Sequence, residues 1–183
     1  MPVISEAERL PTLERLGLSP QLLTIINGER VPEALQYTCQ MIYKVYSDGD
    51  EYLDEYGPAG FLTVPLWESD TVITAVREDL DGLTFFEYDL EDEHLKVSEL
   101  ARTEQGLWAC LFVPLIERER GGLAELALDL GFRHFPLVQE RYLSISHTTW
   151  EQHRFMVKLI AEIDALELTS CGPVTMHPRP GGP

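Results

Sequence analysis

Basic residues are scarce in this chain. Lys and Arg number 14 against 31 Asp and Glu in 183 residues, a formal net charge of −17. Phosphate backbones and anionic lipid surfaces are held by Lys and Arg, so the deficit argues against nucleic acid and against a charged membrane as partners. Cysteine is scarce too. Cys39, Cys110 and Cys171 lie far apart, with no CxxC pair and no Cys/His ligand spacing, which leaves neither a disulfide framework nor a zinc site to expect. An odd, scattered set of thiols suits a reducing compartment. No apolar run is long enough to span a bilayer, and the opening MPVISEAERLPTLERL has neither the basic flank nor the apolar core of a signal peptide. A cytoplasmic protein is the expectation. Phosphate-binding and dinucleotide glycine patterns, a GxSxG elbow and HExxH are all missing, so no cofactor, metal or catalytic residue is expected.

What the chain does contain is a β-rich centre. The stretch FLTVPLWESDTVITAVREDLDGLTFFEY divides into three strands, Phe61–Trp67, Thr71–Arg77 and Leu83–Asp89, joined by Glu68-Ser69-Asp70 and by Glu78 to Gly82. The strands are rich in β-branched and aromatic residues, and the connections carry the Asp and Gly that turns require. A side-chain period of two places Leu62, Val64 and Leu66 on one face and Phe61, Thr63, Pro65 and Trp67 on the other. One apolar and one mixed face suit an antiparallel meander, about 61–89, with helices on one side.

Around it the sequence predicts helices. Ser5 to Leu16 is one, capped by Ser5 and interrupted or divided by Pro11; a second starts at Ser19-Pro20 and stops at Asn27-Gly28. Pro32 to about Tyr46 reads as a third, because Leu35, Cys39, Ile42 and Val45 recur at steps of three and four; Cys39 is expected to be a small buried residue. After the meander, Leu95-Lys96-Val97 reads as an edge strand or as the approach to Ser98, which resembles a helix cap. Thr103 to Ile116 reads as a helix despite Pro114, with a buried strand as the competing assignment. Leu123 to Leu130 is helical and ends at Gly131. Phe132 to Val138 and Tyr142 to Ile145 read as strands or extended segments, and Trp150 to Leu166 as the last helix. The expected fold class is therefore α+β, a single domain over residues 1–168 with a central, mostly antiparallel sheet. Residues 169–183, rich in Pro and Gly, are expected to be a disordered tail.

Two acidic segments flank the meander. Ser47 to Pro58 carries Asp48, Asp50, Glu51, Asp54 and Glu55 without the ligand order of a calcium loop, and Leu90 to His94 carries Glu91, Asp92 and Glu93. Tyr52, Tyr56, Trp67 and Tyr88 lie within or beside them. Rings among carboxylates suit recognition of a basic protein, the rings as anchors and the acids as steering charge. With Glu68, Asp70, Glu87 and Asp89, these residues form the candidate partner-binding set. His94, His134, His147, His153 and His177 are scattered, and the six-residue step from His147 to His153 puts them on different sides of a helix.

The order of parts carries a resemblance: LLTIINGE, a helix with an acidic turn, the meander VPLWESDTVITAVREDLDGLTFFEYDLED, then apolar helices with Gly131-Phe132. From Leu16 to Leu166 it resembles the SUKH superfamily, which contains fungal cell-wall-synthesis regulators and bacterial immunity proteins. Asn27-Gly28 and Pro58 to Phe61 stand where the family often has a Gly-Gly or Asn-Gly pair and a proline-aromatic lead into the sheet. The resemblance implies a SUKH-like fold and a non-enzymatic binding protein. Its expected partner is a basic toxin domain, for example a nuclease, whose active site or groove it blocks. The competing expectations are an enzyme using acidic residues, with or without a metal, and a regulatory scaffold.

Overall fold

Alternating side chains and two tight turns build a four-stranded antiparallel sheet in the middle of the chain. Its strands are β1 (Val64–Ser69), β2 (Val72–Asp79), β3 (Gly82–Asp89) and β4 (Ser98–Ala101), adjacent in that order. The computed structural model describes residues 3–118, 120–144 and 149–170. Ser69 pairs with Val72 and Asp79 with Gly82, so each meander connection is a two-residue turn and the strands run further into the acidic linkers than their composition suggested. Asp70 takes positive φ (55°) in the first turn and Gly82 (129°) follows the second, which is what lets the chain reverse in so few residues.

The helices gather on one face. They are α1 (Glu6–Arg15), α2 (Pro20–Ile26), α3 (Glu104–Glu117), α4 (Leu123–Asp129), α5 (Phe135–Leu143) and α6 (Thr149–Ser170). Their apolar residues enclose Val64, Trp67, Val76 and Phe85 in the main core. The other face, expected to be mixed, is also closed. Val3, Ile42, Val45 and Leu53 cover Ile73, Ala75, Phe86 and Tyr88 in a second core that contains no helix residue. A bulge between Pro65 and Trp67 alters the predicted alternation: Pro65 pairs with Ala75 and Trp67 with Thr74, so Trp67 joins Val64 instead of opposing it. Arg9, buried on α1, donates to the carbonyls of Pro65 and Leu66 at the bulge and to that of Ile26 at the end of α2. One guanidinium thus satisfies carbonyls that the irregular backbone leaves without ladder partners.

Several expectations change. The helix predicted from Pro32 to Tyr46 is absent; only a 3-10 turn at Glu33–Leu35 forms, and Gln40 then bridges Glu68 of β1. Leu35, Cys39, Ile42 and Val45 are all buried as the spacing predicted, but the backbone donors of Gln40, Tyr43 and Lys44 bond to Glu68, and that long-range competition displaces the helix. Ser98 opens β4 and caps nothing; the cap is Thr103, whose Oγ1 accepts from Gly106 N at 3.0 Å. Ser5 does not cap α1 either, since its hydroxyl donates to Glu8. Pro11 and Pro114 each sit inside an unbroken helix. Phe132 to Leu143 is not extended. Pro136 occupies the first turn of α5, where its missing N–H has no intrahelical acceptor to lose, and Phe135, Val138 and Tyr142 face inward. Helix α6 runs on to Ser170, past the expected tail boundary. Ile145, His147, Cys171, His177 and the remainder of the predicted tail lie outside the described residues.

Candidate functional site

The acidic segments meet at one end of the sheet. Leu53 and Tyr56 of the first, and Leu90 of the second with Leu95 just after it, pack on the same small core. Asp70 and Asp89 lie beside each other there: Leu90 N bonds to Thr71 O, and Lys44 Nζ stands 3.2 Å from Asp70 Oδ1. Asp48, Asp50, Glu51, Asp54, Glu55, Glu91 and Glu93 are exposed, and Asp92 is half-exposed. Asp50–Tyr52 form a 3-10 turn, and the Tyr56 hydroxyl donates to Asp48. The Asp89 carboxyl accepts the amide of Glu91, which with the Thr71 hydroxyl holds its pKa below the usual value. A predominantly acidic surface results, with Lys44 and the exposed Lys96 as the nearby cations in the chain.

Exposed large side chains stand in the first acidic segment and in the segment that bridges β1. Tyr37 is 79%, Tyr43 71%, Met41 55% and Tyr52 45% accessible. Only Tyr52 was singled out from the sequence. The signal for the others was present, because Tyr37, Met41 and Tyr43 are the positions that the buried stripe Leu35, Cys39, Ile42 and Val45 leaves out. Their outward placement comes from β1. Gln40 and Glu68 exchange both backbone hydrogen bonds at 3.0 Å, and the buried Glu68 carboxylate accepts Tyr43 N at 2.9 Å and Lys44 N at 3.0 Å. The chain from Gln40 to Tyr43 is thereby held extended along the sheet edge, with Met41 and Tyr43 outward and Ile42 inward.

Three predicted contact residues leave the surface. Trp67 and Tyr88 are core residues on opposite faces of the sheet, and Glu68 is consumed by the backbone it caps. Burial pushes the Tyr88 phenol up. Glu87 also departs from the acidic end. It is half-buried, faces the helices, and lines a groove of about 810 Å³ between β2, β3 and β4 on one side and α3 and α6 on the other. Leu107, Leu111, Ile160 and Val157 supply apolar walls, and Cys110 and Asp164 also line it. Burial raises the Glu87 pKa above its ordinary value and pushes the Cys110 thiol up to about 12. Asp164 accepts Arg102 N at 2.8 Å and the Thr103 hydroxyl at 2.6 Å; burial outweighs these bonds and leaves its pKa raised. No local pattern marks this groove, whose lining is drawn from Thr38 to Leu168.

Among the described side chains, His94 and His134 lie apart from each other. His94 is exposed, and His134 Nε2 lies 2.7 Å from Glu167 Oε1 at the junction of α5 and α6. Among the described residues no three His, Cys, Asp or Glu side chains are grouped to hold a metal ion, and no helix is long and apolar enough to cross a membrane. The described chain is thus an α+β protein with an acidic, tyrosine-bearing end and a separate apolar groove. No protein-family model, curated protein or solved structure matches it.

Proposed function

We propose that this chain is a protein-binding module that covers a basic partner, in the manner of the immunity proteins of the SUKH superfamily it resembles. The observation that carries the reading is the exposure of Tyr52 within the first acidic segment and of Tyr37, Met41 and Tyr43 along the segment that bridges β1. Tyrosine brings a large, rigid contact area at little entropic cost and is enriched at binding hot spots. The surrounding acids attract a basic surface over distance and repel acidic competitors. A toxin domain with a cationic substrate groove, such as a nuclease, has the chemistry this face complements. The protein acts by occupying that groove; no bond is made or broken.

The test is binding to, and protection against, the toxin domain encoded beside its gene. The complex is expected to weaken steeply between low and physiological salt. Tyr43→Ala combined with Tyr52→Ala should weaken it by more than about tenfold, since hot-spot rings carry upwards of ~1 kcal/mol each, with the melting temperature unchanged. A complex indifferent to salt and to both substitutions, or a failure to protect, rejects the reading.

A further inference from the structure

The groove between the sheet and helices α3 and α6 serves no purpose in the proposed partner contact. We propose that it is a binding site for an organic cation with an apolar body, such as an alkyl- or arylalkyl-ammonium, and that Glu87 is the counter-ion.

The geometry supports this in three ways. The groove's size, about 810 Å³, falls in the range of small-molecule pockets, and its walls are largely aliphatic. Its charged groups, with one exception, are already engaged. Asp164 holds the start of α3 through Arg102 N and the Thr103 hydroxyl. The Arg102 guanidinium pairs with Glu99 at 2.7 Å, and the Cys110 thiol donates to Leu100 O. The exception is Glu87, whose carboxylate makes no hydrogen bond or ion pair among the described residues although it is half-buried in apolar surroundings. Such a group is poorly solvated and gains more from a counter-ion than a surface carboxylate does.

The charge balance selects the sign of the ligand. Glu87, Glu99 and Asp164 line the groove against Arg102, and that one cation is committed to Glu99. A fatty acid or other carboxylate meets uncompensated negative charge there. A neutral apolar molecule fills the walls but leaves Glu87 as it was. An ammonium group meets Glu87 while its hydrocarbon displaces water from Leu107, Leu111 and Ile160. The site lies across the sheet from the small core beneath the acidic end, with Thr38, the neighbour of Tyr37, in its lining.

The proposal is tested on the full chain carrying 13C-methyl methionine. Met156 lines the groove and Met41 stands exposed at the tyrosine face, so the two methyl signals distinguish groove binding from ion pairing on the acidic surface. Octylammonium is titrated beside octanol and octanoate. The expected result is a saturable shift of Met156 with Met41 unmoved, weaker binding of octanol and none of octanoate. Glu87→Gln should reduce octylammonium affinity roughly ten- to hundredfold, the span of a charge-assisted hydrogen bond, with octanol unchanged. Ala161→Trp, placed on the exposed rim of α6, should block both ligands while the Met41 signal reports an intact fold. The proposal is overturned if Met156 does not move, if Met41 moves with it in equal measure, if octanoate binds as well as octylammonium, or if Glu87→Gln leaves the affinity unchanged.

Discussion

Glu68 Oε2 accepts the backbone N–H of Tyr43 at 2.9 Å, across twenty-five residues of sequence. The same oxygen accepts Lys44 N, so a buried carboxylate on β1 shapes the segment that presents Met41 and Tyr43. A residue expected to touch a partner directly instead positions two of the residues proposed to do so.

Removing that acceptor should therefore act on stability and on binding together. Glu68→Ala leaves two backbone donors without their carboxylate at the sheet edge. The expected cost is about 2–3 kcal/mol, the order of leaving such groups unsatisfied, measured by urea denaturation. Partner affinity should drop as well, although Glu68 itself is buried. Glu68→Gln keeps an acceptor oxygen and should recover most of both losses.

Gly106 is fixed by packing. A Cβ built on it would lie 2.4 Å from Asp164 Oδ1 and 2.9 Å from Ala101 Cβ, where α6 crosses the first turn of α3. Gly106→Ala must push the two helices apart or expel the Asp164 carboxyl from its bonds to Thr103 and Arg102. A helix-interior Gly→Ala change ordinarily stabilises, by up to ~1 kcal/mol; here the expected result is a loss of about 1–3 kcal/mol, as for other overpacked sites. Thermal or urea unfolding reads the sign directly.

Glu87 makes a pH-dependent contribution of predictable sign. Burial raises its folded-state pKa above the ordinary value of 4.5, so the folded protein binds this proton more tightly than the unfolded chain. The stability that protonation lends is fully present below 4.5 and is lost as pH rises through the elevated folded value. Glu87→Gln removes the titration. The groups facing Glu87 are Cys110 from α3, Asp164 from α6, Thr74 from β2 and Ser98 from β4. Of these, Asp164 is also raised, and the substitution leaves it in place. The stability difference between Glu87→Gln and the parent should thus be small at pH 4 and should grow in favour of the variant toward neutral pH, read as paired melting curves across that range.

Local chemistry made much of this fold readable. The meander appeared as period-two runs of Val, Ile, Thr and Phe between Asp and Gly turns, because strand alternation and turn preference act over a few residues. Helices α2, α3 and α4 were marked by Ser19-Pro20, by Thr103 and by Gly131 for the same reason. The segment from Pro32 to Tyr46 was misread since a chain laid along a sheet edge can bury every third or fourth side chain just as a helix does. Only the competitor for its backbone donors distinguishes the two, and Glu68 lies a full strand away. Trp67 was placed on the wrong face because a bulge, which shifts the alternation by one residue, has no local marker in VPLWES.

By itself the sequence determined the charge, the α+β class and the presence of rings among acids, all properties of composition and of neighbouring residues. The tertiary structure decided which rings face outward, which carboxylates are consumed in holding the backbone, and that Glu87 stands alone in a groove while Asp164 does not. Those distinctions depend on contacts between β1 and the segment before it, and between β3 and α6. Exposure and hydrogen bonding belong to the packed chain, so no window of adjacent residues contains them.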